Sequence, residues 1–292
     1  MAAISIAAMS PVRAQGWPGG AVTIIVPYTP GGAADTLARM IQDGLSKRLG
    51  QSLLIEIKPG GSGIPGTDMV VRSSDGLTIG LIVSVHATSV ALKMSLPYDP
   101  LNDITPLSLL GRVPLILVVH PSVKATTPKE LIEEARSRGK KMFAATSGIG
   151  TAGHFAVKFL NLNGGVQIEP VRYKGAAPAV QDLIGGQVQL QFATLSSVWP
   201  HVEAGSLRAL AVSTATRSAL RPELPTMAEA AGIEGFNFAE WYGIVGPASM
   251  PPENAAKLRD AIVQTLEDSL SRISARNSGS RSRPPRWKAS EA

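Results

Sequence analysis

Residues Val22 to Arg39 read VTIIVPYTPGGAADTLAR, and this stretch constrains the fold more than any other. Val22–Val26 is the kind of β-branched apolar run that a buried strand needs. Pro27, Pro30, Gly31 and Gly32 interrupt it. Beyond Asp35, Leu37, Met40, Ile41, Leu45 and Leu49 recur with helical spacing. The stretch therefore reads as strand, glycine-bearing loop and helix. Asp35 stands where a cap belongs, able to accept from a free N–H of the first turn. Loop and helix start together offer exposed amides to an anion, and a small carboxylate is the first candidate. From these residues alone a structural reading stays open, in which Asp35 only caps and Gly31-Gly32 only turn.

The design recurs down the chain. Leu53–Lys58 predicts a second strand, followed by a glycine-rich loop and a short helix around Asp68–Arg72. Gly61-x-Gly63-x-x-Gly66 matches a dinucleotide fingerprint literally. However, Pro65 removes an amide that a pyrophosphate would need, and the next strand, Leu77–Val83, ends in Ser84-Val85-His86 with no acid for a ribose. Val85–Lys93 reads as another loop-to-helix junction, with His86, Thr88 and Ser89 as its polar groups. Leu115–Val119 is a strongly apolar strand. Thr127-Pro128-Lys129-Glu130 has the residues of a capped helix start. Lys141–Ala145 begins a strand, and Thr146–Thr151 is its loop. Strands are also predicted over Val171–Gly175, within Gly185–Phe192, over Leu207–Val212 and over Trp241–Pro247. Helices are predicted over Ala176–Leu183 and Pro252–Leu266.

Alternating strands and helices imply an α/β fold with mostly parallel sheets, whose ligands sit at the carboxyl ends of strands. The glycine-rich loops lie at those ends, in two groups before and after Leu115–Val119. That arrangement predicts two lobes facing across a cleft. Ser147 and His154 could form a nucleophile and base, but no Gly-x-Ser-x-Gly elbow and no orienting acid accompany them. The 4 histidines have no metal-ligand spacing, so no metal is expected. No cofactor is expected either.

The net charge of +6 is concentrated at one end. The final 22 residues carry +5 and the other 270 only +1, so the body is near neutral. Aromatic residues are not interleaved with basic ones, which argues against a nucleic-acid surface. The absence of cysteine excludes disulfides, thiolate metal sites and cysteine nucleophiles. The apolar start MAAISIAAMSPVRAQ, with Val12-Arg13-Ala14 as a small-x-small site, reads as a shortened signal peptide.

Pro27-Tyr28-x-x-Gly31-Gly32-x-x-Asp35-x-x-Ala38-Arg39 resembles the opening motif of the Bug (Bordetella uptake gene) solute-binding receptors of tripartite tricarboxylate transporters. Gly61-x-Gly63, His86-Ala87, Leu96–Pro100, Ser147-Gly148-x-Gly150-Thr151-x-x-His154 and Tyr173-Lys174-Gly175-x-x-Pro178-Ala179 follow in the family's order. So do Asp182-Leu183-x-Gly185-Gly186, Arg208–Val212, Leu224-Pro225-Thr226 and Trp241-Tyr242-Gly243. The resemblance runs from about Trp17 to Leu266. It implies a two-lobed periplasmic-binding-protein fold of type II, with two mostly parallel sheets, a hinge of crossing strands and capture of a small organic acid by closure. Loop Tyr28–Asp35 (Tyr28, Thr29, Pro30, Gly31, Gly32, Ala33 and Asp35) would hold the ligand from the first lobe, with His86, Ala87 and Thr88 beside it. Ser147, Gly148, Gly150, Thr151 and His154, with Tyr173 and Lys174, would hold it from the second. The family holds a carboxylate largely through loop amides and bridging water. In its amino-acid binders the aspartate at the Asp35 position can meet the ligand's ammonium.

The implied partners are a di- or tricarboxylate, an acidic amino acid or an aromatic acid, and the membrane subunits of the transporter. The implied protein is a periplasmic, non-enzymatic monomer. Its expected division is a signal remnant at 1–16, a first lobe of 17–117 with 236–270, a second lobe of 118–235, and a disordered basic tail at 271–292. Two departures from the family stand out. Gln189 replaces a usual aspartate, and the segment after Leu266 is rich in Ser, Arg, Gly and Pro, which predicts an exposed apolar face and lower stability. The competing readings are a nucleotide-dependent oxidoreductase, a serine hydrolase, and a carboxylate sensor that reports to a signalling partner.

Overall fold

The structure is a computed structural model describing residues 16–137 and 141–278, with side chains to residue 269. Elements follow in chain order: β1 (Val22–Val26), α1 (Ala33–Leu49), β2 (Leu53–Ile57), α2 (Ile64–Val71), β3 (Thr78–Val83), α3 (Val85–Ala91) and β4 (Ile104–Val119). Then come α4 (Pro128–Ser137), β5 (Met142–Thr146), α5 (Ala152–Gly164), β6 (Ile168–Arg172), α6 (Ala176–Ile184), β7 (Leu190–Thr194) and α7 (Leu195–Glu203). The chain ends with β8 (Arg208–Val212), α8 (Met227–Ala231), β9 (Ala239–Pro247) and α9 (Pro252–Ser278).

The long strand β4 belongs to two sheets. Its first part, Ile104–Pro114, pairs antiparallel with β9, and β9 pairs with β3, giving the order β2-β1-β3-β9-β4. Its last residues, Leu115–Val119, pair with β7 on one side and β8 on the other, and β7 continues to β5 and β6. Each sheet is parallel where strand and helix alternate, at β2-β1-β3 and at β7-β5-β6. Each becomes mixed at a crossing strand: β9 runs antiparallel to β3 and β4 in the first sheet, and the end of β4 runs antiparallel to β7 and β8 in the second. Gly111, at φ +156°, and two register shifts bend β4 on its way across.

Each sheet has its own core. Val22, Ile24, Leu45, Ile79, Leu81, Leu258 and Ile262 belong to the first. The second sheet is covered on both faces, by a cluster around Leu117, Leu160 and Phe236 and by another around Val118, Leu183 and Val198. Such fully buried aliphatic side chains contribute about 1.5–3 kcal/mol each. Helix α9 closes the first core against α1. A Cβ at Gly44 would stand 2.5 Å from Thr265 Cγ2, so only glycine allows that approach.

The expected end of α9 at Leu266 is corrected, since the helix continues to Ser278. Ser, Arg, Ala and Ile are all tolerated in a helix, and the first strong breaker, Gly279, comes after it. The rest of the expected tail and nearly all of the expected signal segment lie outside the described residues. Among the described residues, no helix is long and apolar enough to cross a membrane.

The crossing is fastened by the fully buried Ser213. Its hydroxyl donates to Phe238 O at 2.6 Å or Leu115 O at 3.0 Å, and accepts from Leu115 N at 3.1 Å. One small side chain thus ties the outgoing strand to the returning one.

Candidate functional site

A cavity of about 70 Å³ lies between the two lobes. A single water needs roughly 10–15 Å³, so the space suits a few waters or one small acid. The starts of four helices converge on it. Gly32, Ala33 and Ala34 bring the first turn of α1 from the first lobe. The second lobe brings Thr151 and Gly153 at the start of α5, Gly175 and Ala176 at α6, and Thr194 and Ser197 at α7. First-turn amides have no intrahelical acceptor, and the helix dipole makes that end positive. Among the described residues no Lys or Arg lines the cavity, and the one carboxylate that does is Glu240. Any anion held there is held by amides and hydroxyls.

Local sequence explains each helix start. Val26 is the last strand residue before Pro27, and Gly32 is the residue preceding α1, in extended conformation with no side chain to fill the seat. Helix α1 begins at Ala33, so Asp35 is in its first turn rather than at the cap position the sequence suggested. Its carboxylate reaches back to accept from Gly31 N at 2.9 Å and pairs with Arg39 at 2.8 Å. At α5, Thr151 caps by accepting from His154 N at 3.3 Å.

Glu240, at the start of β9, is buried and spans the lobes. One oxygen accepts from Ser84 N of the first lobe at 3.0 Å, the other from Ala152 N of the second at 3.1 Å. Burial pushes its carboxyl above the ordinary range. Burial, then the Glu240 charge, raises the Tyr28 and Tyr242 phenols well above theirs. Gln191 on β7 is also buried, and its Oε1 has no hydrogen-bond partner.

The lobes touch around the cavity. Thr88 Oγ1 donates to Gly150 O at 2.8 Å across the gap. A Cβ on Gly148 would meet Ser62 Oγ at 2.8 Å, and one on Gly175 would meet Thr29 at 2.6 Å. Both glycines have positive φ, +152° and +155°. The lobes are closed on each other, and glycine is what lets the loops come this near.

The family model described as tripartite tricarboxylate transporter family receptor, TctC, matches residues 37–279. The chain belongs to this family. The chain is 34% identical over 261 residues to protein BugT of Bordetella pertussis, covering 88% of itself and 80% of that protein. Among solved structures it resembles R. palustris Rpa4515 with adipate, at TM-score 0.81 and 33% identity, covering 90% of this chain and 98% of that one. It likewise resembles MatC of Rhodopseudomonas palustris with bound malate, at TM-score 0.81 and 30% identity, covering 88% and 89%. The family and these structural neighbours are solute-binding proteins.

Of the residues singled out in the sequence, Tyr28, Thr29, Gly32, Ala33, Ser147 and Thr151 line the cavity. Pro30 and Gly31 sit on the exposed side of the same loop, and Asp35 is engaged within it. Thr88, Gly148 and Gly150 form the contact between lobes instead. His86 and Ala87 face a separate groove behind β9. The His86 ring lies parallel to Tyr98 and bonds Pro100 O at 2.8 Å, and burial lowers its pKa. The two members of the conceivable catalytic pair also have separate surroundings. His154 Nδ1 accepts from Gly150 N at 3.4 Å, and burial, then Lys158 and Arg172, lowers its pKa. Tyr173 donates to Asp182 at 2.7 Å, a contact that helps push its phenol up to about 12, after burial. Lys174 is exposed, one residue before the cavity-lining Gly175.

Two other sequence features acquire structural roles. In the dinucleotide-like motif, a Cβ on Gly63 would stand 2.6 Å from the Tyr28 hydroxyl, and one on Gly66 2.5 Å from Pro27 Cβ. Those glycines permit close packing. Gln189 accepts from Phe143 N at 2.9 Å and ties β7 to β5. Sequence reasoning missed Glu240, Gln191, Thr194 and Ser197. Glu240 directly precedes the Trp241-Tyr242-Gly243 motif, but nothing in that motif marks it as facing a cavity. Gln191, Thr194 and Ser197 arrive with β7 and the start of α7, a strand-to-helix junction without the glycine-rich loop that marks the others.

Proposed function

We propose that the protein is a periplasmic receptor that encloses one small organic carboxylate between its lobes and presents the closed complex to the membrane subunits of a tripartite tricarboxylate transporter. The observation that carries this reading is the convergence of four helix starts, from both lobes, on a cavity whose wall holds no lysine or arginine among the described residues. Amides from opposite sides grip an anion only when the lobes are together, so binding favours closure. The lobes are taken as residues 17–117 with 236–270, and 118–235. The receptor acts as a monomer, without cofactor or catalysis.

The test is a thermal-shift panel on the purified chain with citrate, malate, adipate, glutamate, nicotinate and terephthalate, and NAD for contrast. A bound acid raises the melting temperature by mass action, by about 2.7 kcal/mol of stabilisation at a hundredfold excess over Kd. At least one small carboxylate is expected to do so, and NAD to do nothing. A shift with NAD alone, or chemical turnover of any acid, overturns the reading.

A further inference from the structure

We propose that Glu240 determines specificity, so that the receptor selects an acid with one carboxylate and a hydrogen-bond donor at its other end over the matching dicarboxylate. This rests on the carboxylate-receptor reading above. The cavity lining holds two unlike kinds of group. The starts of α1, α6 and α7 offer amides and hydroxyls to an anion. Glu240, by contrast, is a resident carboxylate that already takes the Ala152 amide at the start of α5, which is therefore not free for a second ligand carboxylate. It also takes the Ser84 amide from the opposite lobe, so it is held on both sides and cannot swing away without losing both bonds.

An anionic end brought beside Glu240 meets the like charge of a carboxylate that is itself buried, where such repulsion is stronger than in water, whereas an ammonium or hydroxyl end meets an acceptor.

The test is calorimetry on the full chain with pairs of probes differing only at one end: 4-aminobutyrate and 4-hydroxybutyrate against succinate, and 5-aminovalerate against glutarate. The wild-type protein is expected to prefer a donor-ended acid at least tenfold over its diacid. Glu240→Gln, which keeps the shape and one acceptor, is expected to lower that ratio at least tenfold. A purely structural role would weaken both probes of a pair alike. Equal wild-type affinities, a preference for the diacid, or a ratio unmoved in a folded Glu240→Gln protein overturns the proposal while leaving carboxylate binding intact. The wild-type ratio decides the matter even where the variant does not fold. Failure of the wild-type protein to bind any acid, in these pairs or in the thermal-shift panel, overturns the receptor reading instead.

Discussion

The starts of α1 and α5 look alike in sequence: a strand, a small-residue loop and a helix whose first turn lines the cavity. In the folded protein they are used differently. At α1 the first-turn acid Asp35 turns back to Gly31 and pairs with Arg39, and Gly32 places no side chain over the helix end. Ala33 and Ala34 are left facing the cavity. At α5, Thr151 takes the His154 amide and Glu240, 88 residues away, takes that of Ala152. One helix start is an open seat and the other is largely filled by the protein itself. A glycine-rich loop before a helix advertises an anion site, but the tertiary structure decides whether the anion is a ligand or a resident side chain.

The same substitution at the two equivalent positions separates these uses, and it carries the largest expected effects. Proline fits the first position of a helix and removes only an amide that the helix does not need. Gly32 and Thr151 precede the two sites with ψ of 173° and 156°, as a residue before proline requires. Ala33→Pro is expected to weaken ligand binding about 10- to 100-fold, the loss of a hydrogen bond to a charged group being about 1.5–3 kcal/mol. Its melting temperature should stay near wild type. Ala152→Pro is expected to do the reverse. It strips a donor from buried Glu240 and lowers stability by about 1–3 kcal/mol in urea unfolding. If Ala152→Pro costs affinity without stability, the two starts are equivalent after all.

Closure sharpens the contrast further. Gly175→Ala places a methyl 2.6 Å from Thr29, at a φ of +155° that only glycine adopts freely. The lobes must then part or the loop must shift. A roughly tenfold loss of affinity is expected, about 1.4 kcal/mol. Small-angle scattering should show incomplete compaction with saturating ligand. Unchanged scattering and affinity would mean that the loops do not need this approach.

Glu240 should also announce itself through pH. Burial raises its folded pKa above that of the unfolded chain. The folded protein then holds the proton more tightly, so this residue's contribution to stability is fully present below the unfolded value. It is lost as pH rises through the folded one. Glu240→Gln lacks this term. The melting temperature of the variant minus that of wild type is therefore expected to increase with pH across that interval. A difference that stays flat between pH 4 and 8 would place the titration elsewhere.

Much of this fold is legible in the sequence where apolar periodicity is uninterrupted. β1 spans Val22–Val26 in both, because a β-branched run preceded by Gly19-Gly20 and stopped by Pro27 leaves little choice. Only the last third of β4 was visible. Pro106, Gly111 and Pro114 break the pattern upstream, and the strand tolerates them because it bends there and changes sheets. Helix α7 escaped because Pro200 lies inside it. The cavity was legible from loops that announce helix starts, hence Tyr28, Thr29, Gly32, Ala33, Ser147 and Thr151. It was not legible at Glu240 or Gln191, which sit in strands and differ from ordinary strand residues only in what crosses above them. His86 shows the opposite error: a polar residue at a strand end is a fair guess for a site, yet its ring is turned to Tyr98 and Pro100.

The smallest effect belongs to the rim, and it separates gripping the ligand from holding the door shut. Thr88 donates to Gly150 O between the lobes but does not line the cavity. Valine has nearly the same shape and cannot donate. A hydrogen bond of this kind contributes about 0.5–1.5 kcal/mol, so Thr88→Val should speed ligand release about 2- to 10-fold. Because this contact forms only on closure, the association rate should hardly move. Stopped-flow measurements of both rates decide it. Equal slowing of association would show the contact guiding entry rather than retaining the ligand, and would move Thr88 from the rim of the closed receptor to its open mouth.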